Sequence, residues 1–325
     1  MDVMQLDIRW MKYALEVHRQ QSFTRAAAAL RVAQPSLSQQ IAKLEQELGL
    51  TLFYRQRRSV AATPEGRHFL EKAEHIVSLQ EDLVREMQER SQGMGGQLSI
   101  GTPAITGEHV LPPLLRAFQR RYPEVQVRFV EESPTALVEL TAKGMTDLSI
   151  LPLPVEDPRL TTEPLLTEPI LLALPPEQTS WMGILENCLN EDGNIRKPVP
   201  LTDCSRMPFI LLKSGYGFRR TVLELCAKAG FQPHIAFETS SIEMAQSLVA
   251  HGLGVTLIPH MVRRPSEPRP LYCDLADRPT RTLAFIFRKK RYLSLSARAF
   301  VDVCREAGPN ALGGTFEWHK ESAPK

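Results

Sequence analysis

The hydrophobic pattern between Ser22 and Gly49 predicts two short helices joined by a tight turn. Ser22 is a suitable N-cap for the first helix, because its hydroxyl can accept a hydrogen bond from a free backbone N–H. Alanines at residues 26–29 favour helix and allow a second helix to cross closely. Pro35 suits the first turn of the second helix and Gly49 its end. Apolar residues at three- and four-residue steps give that helix a buried stripe: Leu37, Ile41, Leu44 and Leu48.

The opposite face of the second helix is polar. It carries Ser36, Gln39, Gln40 and Lys43. Short polar side chains on such a helix are typical of a helix-turn-helix that reads base edges in the major groove. A helical hairpin with a solvated polar face would show the same pattern, so this stretch alone leaves both interpretations open.

A basic segment directly after these helices favours DNA binding. Residues 54–59 read Tyr-Arg-Gln-Arg-Arg-Ser, and residues 60–63 can return as a strand, which predicts a wing on phosphates or in a minor groove. Residues 1–63 hold two lysines and seven arginines against two aspartates and three glutamates, which leaves +4, whereas the whole chain carries +2. The positive charge is therefore concentrated beside the candidate reading helix.

The segment before Ser22 predicts a further helix of the same module. Its apolar residues lie at helical spacing: Leu6, Trp10, Tyr13, Ala14 and Val17. The spacing explains them as core beneath the helix-turn-helix, which is a simpler interpretation than an exposed aromatic stripe for stacking bases.

A long helix is predicted from Thr63 to about Ser91, with Pro64 at its first position and Glu65 in its first turn. At 1.5 Å per residue it would be about 42 Å long. One heptad seam carries Leu70, Ala73, Val77, Val84 and Met87, and Phe69, Ile76, Leu79 and Leu83 broaden it. A second copy is its natural partner, so Leu70, Ala73, Val77 and Val84 are predicted to mediate dimerisation; packing on its own chain is the alternative.

Beyond a glycine-rich boundary at residues 92–96 the pattern becomes α/β. Strands are predicted at residues 97–102, 125–130 and 147–151, with helices at 110–122 and 135–143 between them. Alternation of this kind implies parallel pairing with right-handed crossovers. Further strands are predicted at 170–174, 209–212, 235–238 and 255–258, and further helices at 217–229 and 240–251.

Polar residues follow several of these strands, where open α/β sheets bind ligands and helix N-termini offer free N–H groups. The candidate effector-binding residues are Thr102, Pro103, Ala104, Ser133, Thr135, Lys213, Ser214, Tyr216, Thr239 and Ser240. They suit a small polar or anionic effector, and a carboxylate is the expected class. Helix capping is the ordinary alternative role for each serine and threonine.

Several motifs of the first quarter resemble the LysR-type transcriptional regulators. They are Ser22-Phe23-Thr24-x-Ala26-Ala27-x-x-Leu30, Gln34-Pro35-Ser36-x-Ser38-x-x-Ile41-x-x-Leu44-Glu45, Leu48-Gly49-x-x-Leu52-Phe53-x-Arg55 and Thr63-Pro64-x-Gly66. The resemblance implies an N-terminal winged helix-turn-helix, all α apart from its wing, and a long linker helix that pairs antiparallel with a second copy. Many members carry Arg where this chain has Gln39, so the base preference of relatives does not carry over at that position.

The rest of the chain resembles the effector domain of the same family, an α/β fold of two lobes like that of periplasmic binding proteins. Its cues are Glu131-x-Ser133-x-x-Leu137-x-x-Leu140-x-x-Gly144-x-x-Asp147-Leu148 and Leu248-Val249-Ala250-x-Gly252-Leu253-Gly254-Val255-x-x-Ile258-Pro259. We therefore expect a DNA-binding domain at 1–63, a linker helix at 64–92 and an effector domain at 93–306. Lobe I would comprise 97–168 and 269–306, and lobe II 169–268. Residues 178–199 are expected to be a surface insertion, and 307–325 a mobile tail.

The predicted DNA contacts come from the recognition helix, its supporting helix and the wing. They are Arg25, Gln34, Pro35, Ser36, Ser38, Gln39, Lys43, Arg55, Arg57 and Arg58.

Some relatives sense peroxide with two cysteines. Cys226 matches the second of these positions, whereas Gly217 stands at the first. The resemblance therefore predicts no disulfide switch here.

Composition excludes several other classes of protein. The chain is 43% hydrophobic and 23% charged, which is ordinary for a globular protein. It has no long apolar run for a bilayer and no signal peptide, so no membrane contact and a cytoplasmic location are expected. Its five dispersed cysteines show no metal-like spacing and fit a reducing compartment as buried free thiols. No Walker loop, GxSxG elbow or HExxH motif is present, so no enzymatic activity, metal or cofactor is expected.

The sequence thus predicts a LysR-type regulator that binds specific promoter DNA and is modulated by a small-molecule effector. Its expected partners are double-stranded DNA, the effector and itself as dimer or tetramer, with RNA polymerase as a further candidate. One alternative is a small-molecule-binding or catalytic α/β protein whose N-terminal helices only oligomerise. A nonspecific architectural DNA protein is another, and the modest net charge and large cleft domain weigh against it.

Overall fold

In a computed structural model the chain divides into two compact units, residues 1–91 and 92–325. The structure describes residues 6–55, 60–92, 96–177, 183–189, 195, 197–289, 291–312 and 316–319. Within these residues no helix is both long enough and apolar enough to cross a membrane.

The N-terminal unit begins with three helices: α1 (Ile8–Gln20), α2 (Phe23–Leu30) and α3 (Gln34–Leu48). Asp7 caps α1 through the N–H of Arg9. Ser22 caps α2 through the N–H of Arg25, as the sequence predicts. Gly49 ends α3 with a φ of +66°, a left-handed conformation in which the absence of a Cβ avoids strain.

A short hairpin and a long helix complete this unit. The hairpin pairs β1 (Phe53–Arg55) antiparallel with β2 (Val60–Ala62). The helix α4 (Pro64–Gln92) follows Thr63, whose hydroxyl caps it by accepting a hydrogen bond from the N–H of Gly66 at 2.8 Å. A Cβ at Gly66 would lie 2.0 Å from the carbonyl oxygen of Leu52, so this turn of α4 approaches the preceding backbone too closely for any side chain.

The core of the N-terminal unit forms between α1, α2, α3 and the hairpin. Its fully or almost fully buried members include Ala14, Val17, Ala26, Ala27, Leu37, Ile41, Leu44 and Leu52. Trp10, Tyr13, Leu6 and Leu48 pack on its edge. The predicted apolar stripe of α3 and the core role of α1 are therefore confirmed.

The dimerisation prediction for α4 is wrong for three of its residues. Ala73 and Val77 are 1% and 8% exposed because they pack with Met11 of α1, and Leu70 is 4% exposed within the core of the unit. Of the four predicted residues, Val84 alone is exposed, at 43%. The alternative from the sequence, packing on the same chain, holds for this part of α4. A different face of the helix carries the exposed apolar residues: Ile76, Leu79, Leu83, Val84 and Met87.

The C-terminal unit starts with alternating strands and helices. Its first elements are β3 (Gly96–Thr102), α5 (Ala104–His109), α6 (Leu111–Arg121), β4 (Val125–Glu131), α7 (Pro134–Ala142), β5 (Leu148–Pro152) and β6 (Leu160–Leu174). β3 pairs parallel with both β4 and β5, as the pattern predicts.

The second half of the unit adds β7 (Pro208–Leu212), α8 (Gly217–Lys228), β8 (His234–Thr239), α9 (Ile242–Ala250), β9 (Thr256–Pro259), β10 (Leu271–Asp274), β11 (Thr280–Arg288), α10 (Leu295–Ala311) and β12 (Glu317–Trp318). β7 and β8 pair parallel. The main sheet has the order β10-β6-β11-β5-β3-β4.

Two separate cores divide this unit into two lobes. Lobe I is built around β3, β5, α6 and α10, with Phe118, Phe285 and Phe300 among its fully buried residues. Lobe II is built around β7, α8 and β9, with Phe209 and Leu257 fully buried. The strand β6 joins them: its first ten residues pair with β11, and its last five pair with β9 and β10.

The expected lobe boundary and tail need correction. Residues 269–276 belong to lobe II rather than lobe I, because β10 pairs with Leu171–Leu174 and Cys273 is buried in the lobe II core. α10 continues to Ala311, and Trp318 packs on the core of lobe I. The prediction of a mobile tail is therefore wrong for 307–312 and 316–319. Leu185, Cys188 and Val199 are buried in lobe II, so the described part of 178–199 is anchored in the core.

Candidate functional site

The N-terminal half of α3 presents a row of exposed polar positions in the N-terminal unit. Gln34, Pro35, Ser36 and Gln39 are exposed, whereas Ser38 is half-buried. Leu37, Ile41 and Leu44 on the opposite face are fully buried and fix the rotation of the helix. The sequence therefore places these side chains on the accessible face of α3 by burying the opposite face.

Trp10 of α1 holds the middle of α3 in place. Its indole Nε1–H donates a hydrogen bond of 2.6 Å to Oε1 of Gln40, and the ammonium of Lys43 lies 5.2 Å from the centre of the ring. Lys43 is exposed but rests on this aromatic face. It is thus a positioned cation at the side of α3 rather than a freely mobile one.

Glu45 connects α3 to the hairpin. Its Oε1 accepts hydrogen bonds from the N–H groups of Leu52 at 2.7 Å and Phe53 at 3.2 Å. The donors are the residue before β1 and the first residue of β1, so the charged acceptor links the hairpin to the helix. The motif residue Glu45 therefore has a structural role that the sequence alone did not assign.

The predicted basic contacts are only partly described. Arg25 is exposed on α2 and donates to the carbonyl oxygen of Gln20 at 2.6 Å, which satisfies the end of α1. The backbone of Arg55 lies in β1. Arg57 and Arg58 lie outside the described residues.

A cavity of about 520 Å³ lies between the two lobes of the C-terminal unit. On the lobe I side it is lined by residues 103–106 and 108 of the β3–α5 turn, residues 131–134 of the β4–α7 turn and Pro152. On the lobe II side it is lined by residues 214–218 and 240–242, and Arg281 of β11 completes it. The size is in the range of pockets that bind small molecules.

Four helices begin at this cavity, α5, α7, α8 and α9. Ser133 caps α7 by accepting a hydrogen bond from the N–H of Ala136, and Ser241 caps α9 through the N–H of Met244, both at 3.3 Å. No side chain of the described residues caps the start of α8 at Tyr216. The N-terminal ends of these helices place partial positive charge at the wall of the cavity.

The charged residues that line the cavity differ in how far they are buried. Arg281 is 8% exposed and forms an ion pair with Glu168, which is fully buried, with 2.6 Å between Nε and Oε1. The two residues lie directly opposite each other on β11 and β6. Three carboxylates also line the cavity but are exposed: Glu108, Glu131 and Glu132. The buried cation of the lining is therefore neutralised by its partner Glu168, whereas the three lining carboxylates are exposed.

Comparison with known proteins identifies the family. Residues 8–67 match the bacterial regulatory helix-turn-helix protein, lysR family, and residues 91–309 match the LysR substrate binding domain. The chain belongs to the LysR family of transcriptional regulators. An uncharacterised HTH-type transcriptional regulator of Bacillus subtilis, YcgK, is 56% identical over 93% of this chain and 95% of its own length. A full-length OxyR variant from Pseudomonas aeruginosa has a TM-score of 0.65 at 25% identity, and the match covers 93% of this chain and 95% of that one.

This LysR-family chain is thus a transcriptional regulator with a helix-turn-helix DNA-binding domain and an effector-binding substrate domain. A second relative, the HTH-type regulator YwbI of Bacillus subtilis, is 31% identical over 91% of this chain and 95% of its own length. The predicted fold class, of a winged helix-turn-helix and a two-lobed α/β domain, is confirmed.

The structure brings together six of the residues that the sequence singled out for effector binding. Those that line the cavity are Pro103, Ala104, Ser133, Ser214, Tyr216 and Ser240. Thr102 does not, because it is 2% exposed and its hydroxyl donates to the carbonyl oxygen of Pro103. Thr239 instead accepts a hydrogen bond from the N–H of Ser241, while Thr135 and Lys213 are exposed outside the lining.

Sequence reasoning missed Arg281 and the apolar part of the wall. Ile105, Phe218 and Ile242 line the cavity, and the guanidinium carbon of Arg281 lies 5.7 Å from the centre of the Phe218 ring. Each of the three follows a predicted strand end by a few residues, which is the signal that could have found them. Arg281 lies in a strand that had not been predicted, so no local pattern indicated it.

Four cysteines lie together in the core of lobe II: Cys188, Cys204, Cys226 and Cys273. Burial raises the pKa of the Cys204 and Cys273 thiols to about 12 and that of Cys226 to about 11. Within the described residues no group of histidine, cysteine and acidic side chains could hold a metal ion.

Proposed function

We propose that the N-terminal half of α3 reads base edges in promoter DNA, while the cavity of the C-terminal unit binds the small molecule that modulates this activity. Gln34, Pro35, Ser36, Ser38 and Gln39 are assigned to the major groove, with Arg55, Arg57 and Arg58 on the wing and Arg25 and Lys43 at the side. The observation that carries the proposal is the exposed polar start of α3 on a helix whose opposite face is fully buried.

The cavity is assigned to the effector because its two walls come from different lobes. A ligand that touches both walls favours arrangements of the lobes in which both contacts form, and this differential affinity is the only means by which it can shift a conformational equilibrium. The proposal assigns no catalytic role to the chain. The proposal also includes self-association, which lets two DNA-binding modules engage neighbouring half-sites. It further includes a contact with RNA polymerase in the cytoplasm.

The direct test is a gel shift with the full chain on the DNA upstream of its own gene. A scrambled duplex of equal length and composition is the control, since phosphate contacts alone do not distinguish the two. We expect preferential binding to the native sequence. Equal binding to both duplexes would support an architectural protein, and no binding to either would support an α/β protein whose N-terminal helices only oligomerise. Transcription from the same promoter in a purified system tests the contact with RNA polymerase.

A further inference from the structure

Arg281 has bonding capacity that the protein leaves unused. Its Nε donates to Glu168, but Nη2 is buried and has no hydrogen-bond partner among the described residues. A buried donor without a partner loses the free energy that water would have supplied, typically about 1–3 kcal/mol. Both carboxylate oxygens of Glu168, by contrast, already accept a hydrogen bond, because the second oxygen accepts from the N–H of Met261 at 2.9 Å. The guanidinium is therefore the group of this pair that can bind something more.

The surroundings of Arg281 favour an anion with an apolar body. Phe218 lies against the guanidinium, and Ile105 and Ile242 contribute to the same cavity. The start of α8 adds partial positive charge at this wall. A carboxylate can accept from Nη2 while its carbon chain contacts the apolar residues. Inorganic sulfate or phosphate has no such chain to bury.

The three exposed carboxylates of the cavity limit what the rest of the ligand can carry. Glu108, Glu131 and Glu132 line the cavity and are exposed, so a second negative group of the ligand near them would be repelled. A neutral or cationic end would not. The charges therefore distinguish monocarboxylates from dicarboxylates and polyanions.

We propose that the cavity binds a small organic monocarboxylate whose carboxylate accepts a hydrogen bond from Nη2 of Arg281 and whose far end is neutral or cationic. This proposal rests on the assignment of the cavity as the effector site. It goes further by naming the ligand class and the residue that selects it.

The test measures the melting temperature and calorimetric affinity of the full chain with a panel of acids and matched controls. Hexanoate, benzoate and phenylacetate are compared with their amides, with the dicarboxylate adipate, and with sulfate and phosphate. At least one monocarboxylate should bind roughly ten- to a hundredfold more tightly than its amide, which corresponds to one charge-assisted hydrogen bond. Adipate and the inorganic anions should bind more weakly than that monocarboxylate.

Variants separate Arg281 from a general effect of positive charge. Arg281→Lys keeps a cation opposite Glu168 but lacks the second terminal nitrogen, so it should lose about tenfold or more in affinity for the monocarboxylate. The double variant Glu168→Gln/Arg281→Gln leaves no lone buried charge and should lose the preference for the acid over the amide. Arg269→Lys is the matched control, because Arg269 is exposed and pairs with Glu267 away from the cavity. It should bind like the unaltered chain.

The proposal is wrong if no monocarboxylate of the panel binds, if acid and amide bind equally, or if Arg281→Lys binds as tightly as Arg269→Lys. Adipate binding as well as hexanoate would overturn the role of the three exposed carboxylates. The experiments distinguish failure of the proposed carboxylate subsite from failure of the proposed DNA-reading role of α3. Specific binding to upstream DNA without carboxylate binding rejects only the subsite, whereas carboxylate binding without specific DNA binding rejects the assignment of α3 to this DNA.

Discussion

Gln39 and Gln46 are two exposed glutamines on the same helix, and they allow a matched test of base reading. Gln39 lies in the N-terminal half of α3 and Gln46 in its last turn. A glutamine amide pairs best with adenine, whereas an arginine pairs with guanine, and a good bidentate pair discriminates by about 1–3 kcal/mol. Gln39→Arg should therefore change which base is preferred at one operator position.

The measurement is fluorescence anisotropy on a set of single-base operator variants. Gln46→Arg adds the same charge to the same helix and should alter the affinity for all duplexes alike, without changing their order. A uniform change for Gln39→Arg would show that this residue contacts phosphate or solvent rather than a base.

The five cysteines should be unreactive in the folded chain. All are buried as free thiols, and burial holds the pKa of each above its ordinary value. The thiolate is the reactive form, so its fraction near neutral pH is very small in the native state. We expect slow labelling by a thiol reagent until the chain is unfolded, and no change in DNA binding after peroxide treatment.

The same pKa shifts set a pH dependence. The folded Cys204 thiol has a pKa of about 12 against an ordinary 9.0, so between these values the unfolded chain is ionised while the folded chain is not. Unfolding then releases a proton, and stability falls as the pH rises through that window.

The prediction of unreactive thiols has a clear contrary outcome. It would be contradicted if low peroxide formed a disulfide between Cys226 and another cysteine of the folded chain and altered DNA binding.

At the scale of the element, α4 has two apolar faces with different partners. Val77 is 8% exposed and packs on α1, whereas Leu83 is 57% exposed. An exposed stripe of Ile76, Leu79, Leu83 and Met87 at three- and four-residue steps is the pattern of a helix that pairs with another helix. Members of this family oligomerise, so a second α4 is the partner we expect for this stripe.

Leu83→Asp should therefore weaken self-association with little effect on the folding of one chain. Val77→Asp should instead destabilise the N-terminal unit, because it places a charge in a buried cluster. Light scattering measures the first effect and thermal unfolding the second. If Leu83→Asp leaves the molar mass unchanged, the exposed stripe is not the interface.

Helical periodicity explains why the sequence predicted the apolar positions of α4 but not their partners. Residues 70, 73 and 77 share a heptad seam, and the seam alone is equally consistent with a second copy or with α1. Which face α1 covers depends on the turn through β1 and β2, and on the close contact of Gly66 with Leu52. Periodicity contains no information about that geometry. By contrast, the caps at Ser22, Thr63 and Gly49 are local interactions and were predicted correctly.

At the scale of the whole molecule, the topology of the C-terminal unit was predictable only where neighbours in sequence are neighbours in space. The parallel set β3, β4 and β5 follows from the strand and helix pattern. The junction of the lobes does not, because β6 pairs with β11, which is more than a hundred residues away. Arg281 and Glu168 meet only through that pairing, so the buried cation that lines the cavity could not be found from sequence spacing.

The assignment of one site to DNA and another to an effector makes a quantitative prediction about the full chain. If the effector changes the affinity for operator DNA by some factor, operator DNA must change the affinity for the effector by the same factor, because the two binding free energies belong to one thermodynamic cycle. Couplings of this kind are typically about 1–3 kcal/mol, or roughly 5- to 150-fold. Equality of the two factors is required whether the effector strengthens or weakens operator binding.

The experiment titrates the best-binding monocarboxylate of the panel into the full chain by calorimetry, with saturating upstream DNA and again with the scrambled duplex. Anisotropy then gives the operator affinity with and without the same ligand. We expect the two factors to agree within the error of the measurement. Because Arg281→Lys weakens ligand binding, its operator affinity should stay unchanged at ligand concentrations that it does not bind. A ligand that occupies the cavity and leaves operator affinity unchanged would separate the cavity from regulation, since a ligand with equal affinity for all arrangements shifts none of them.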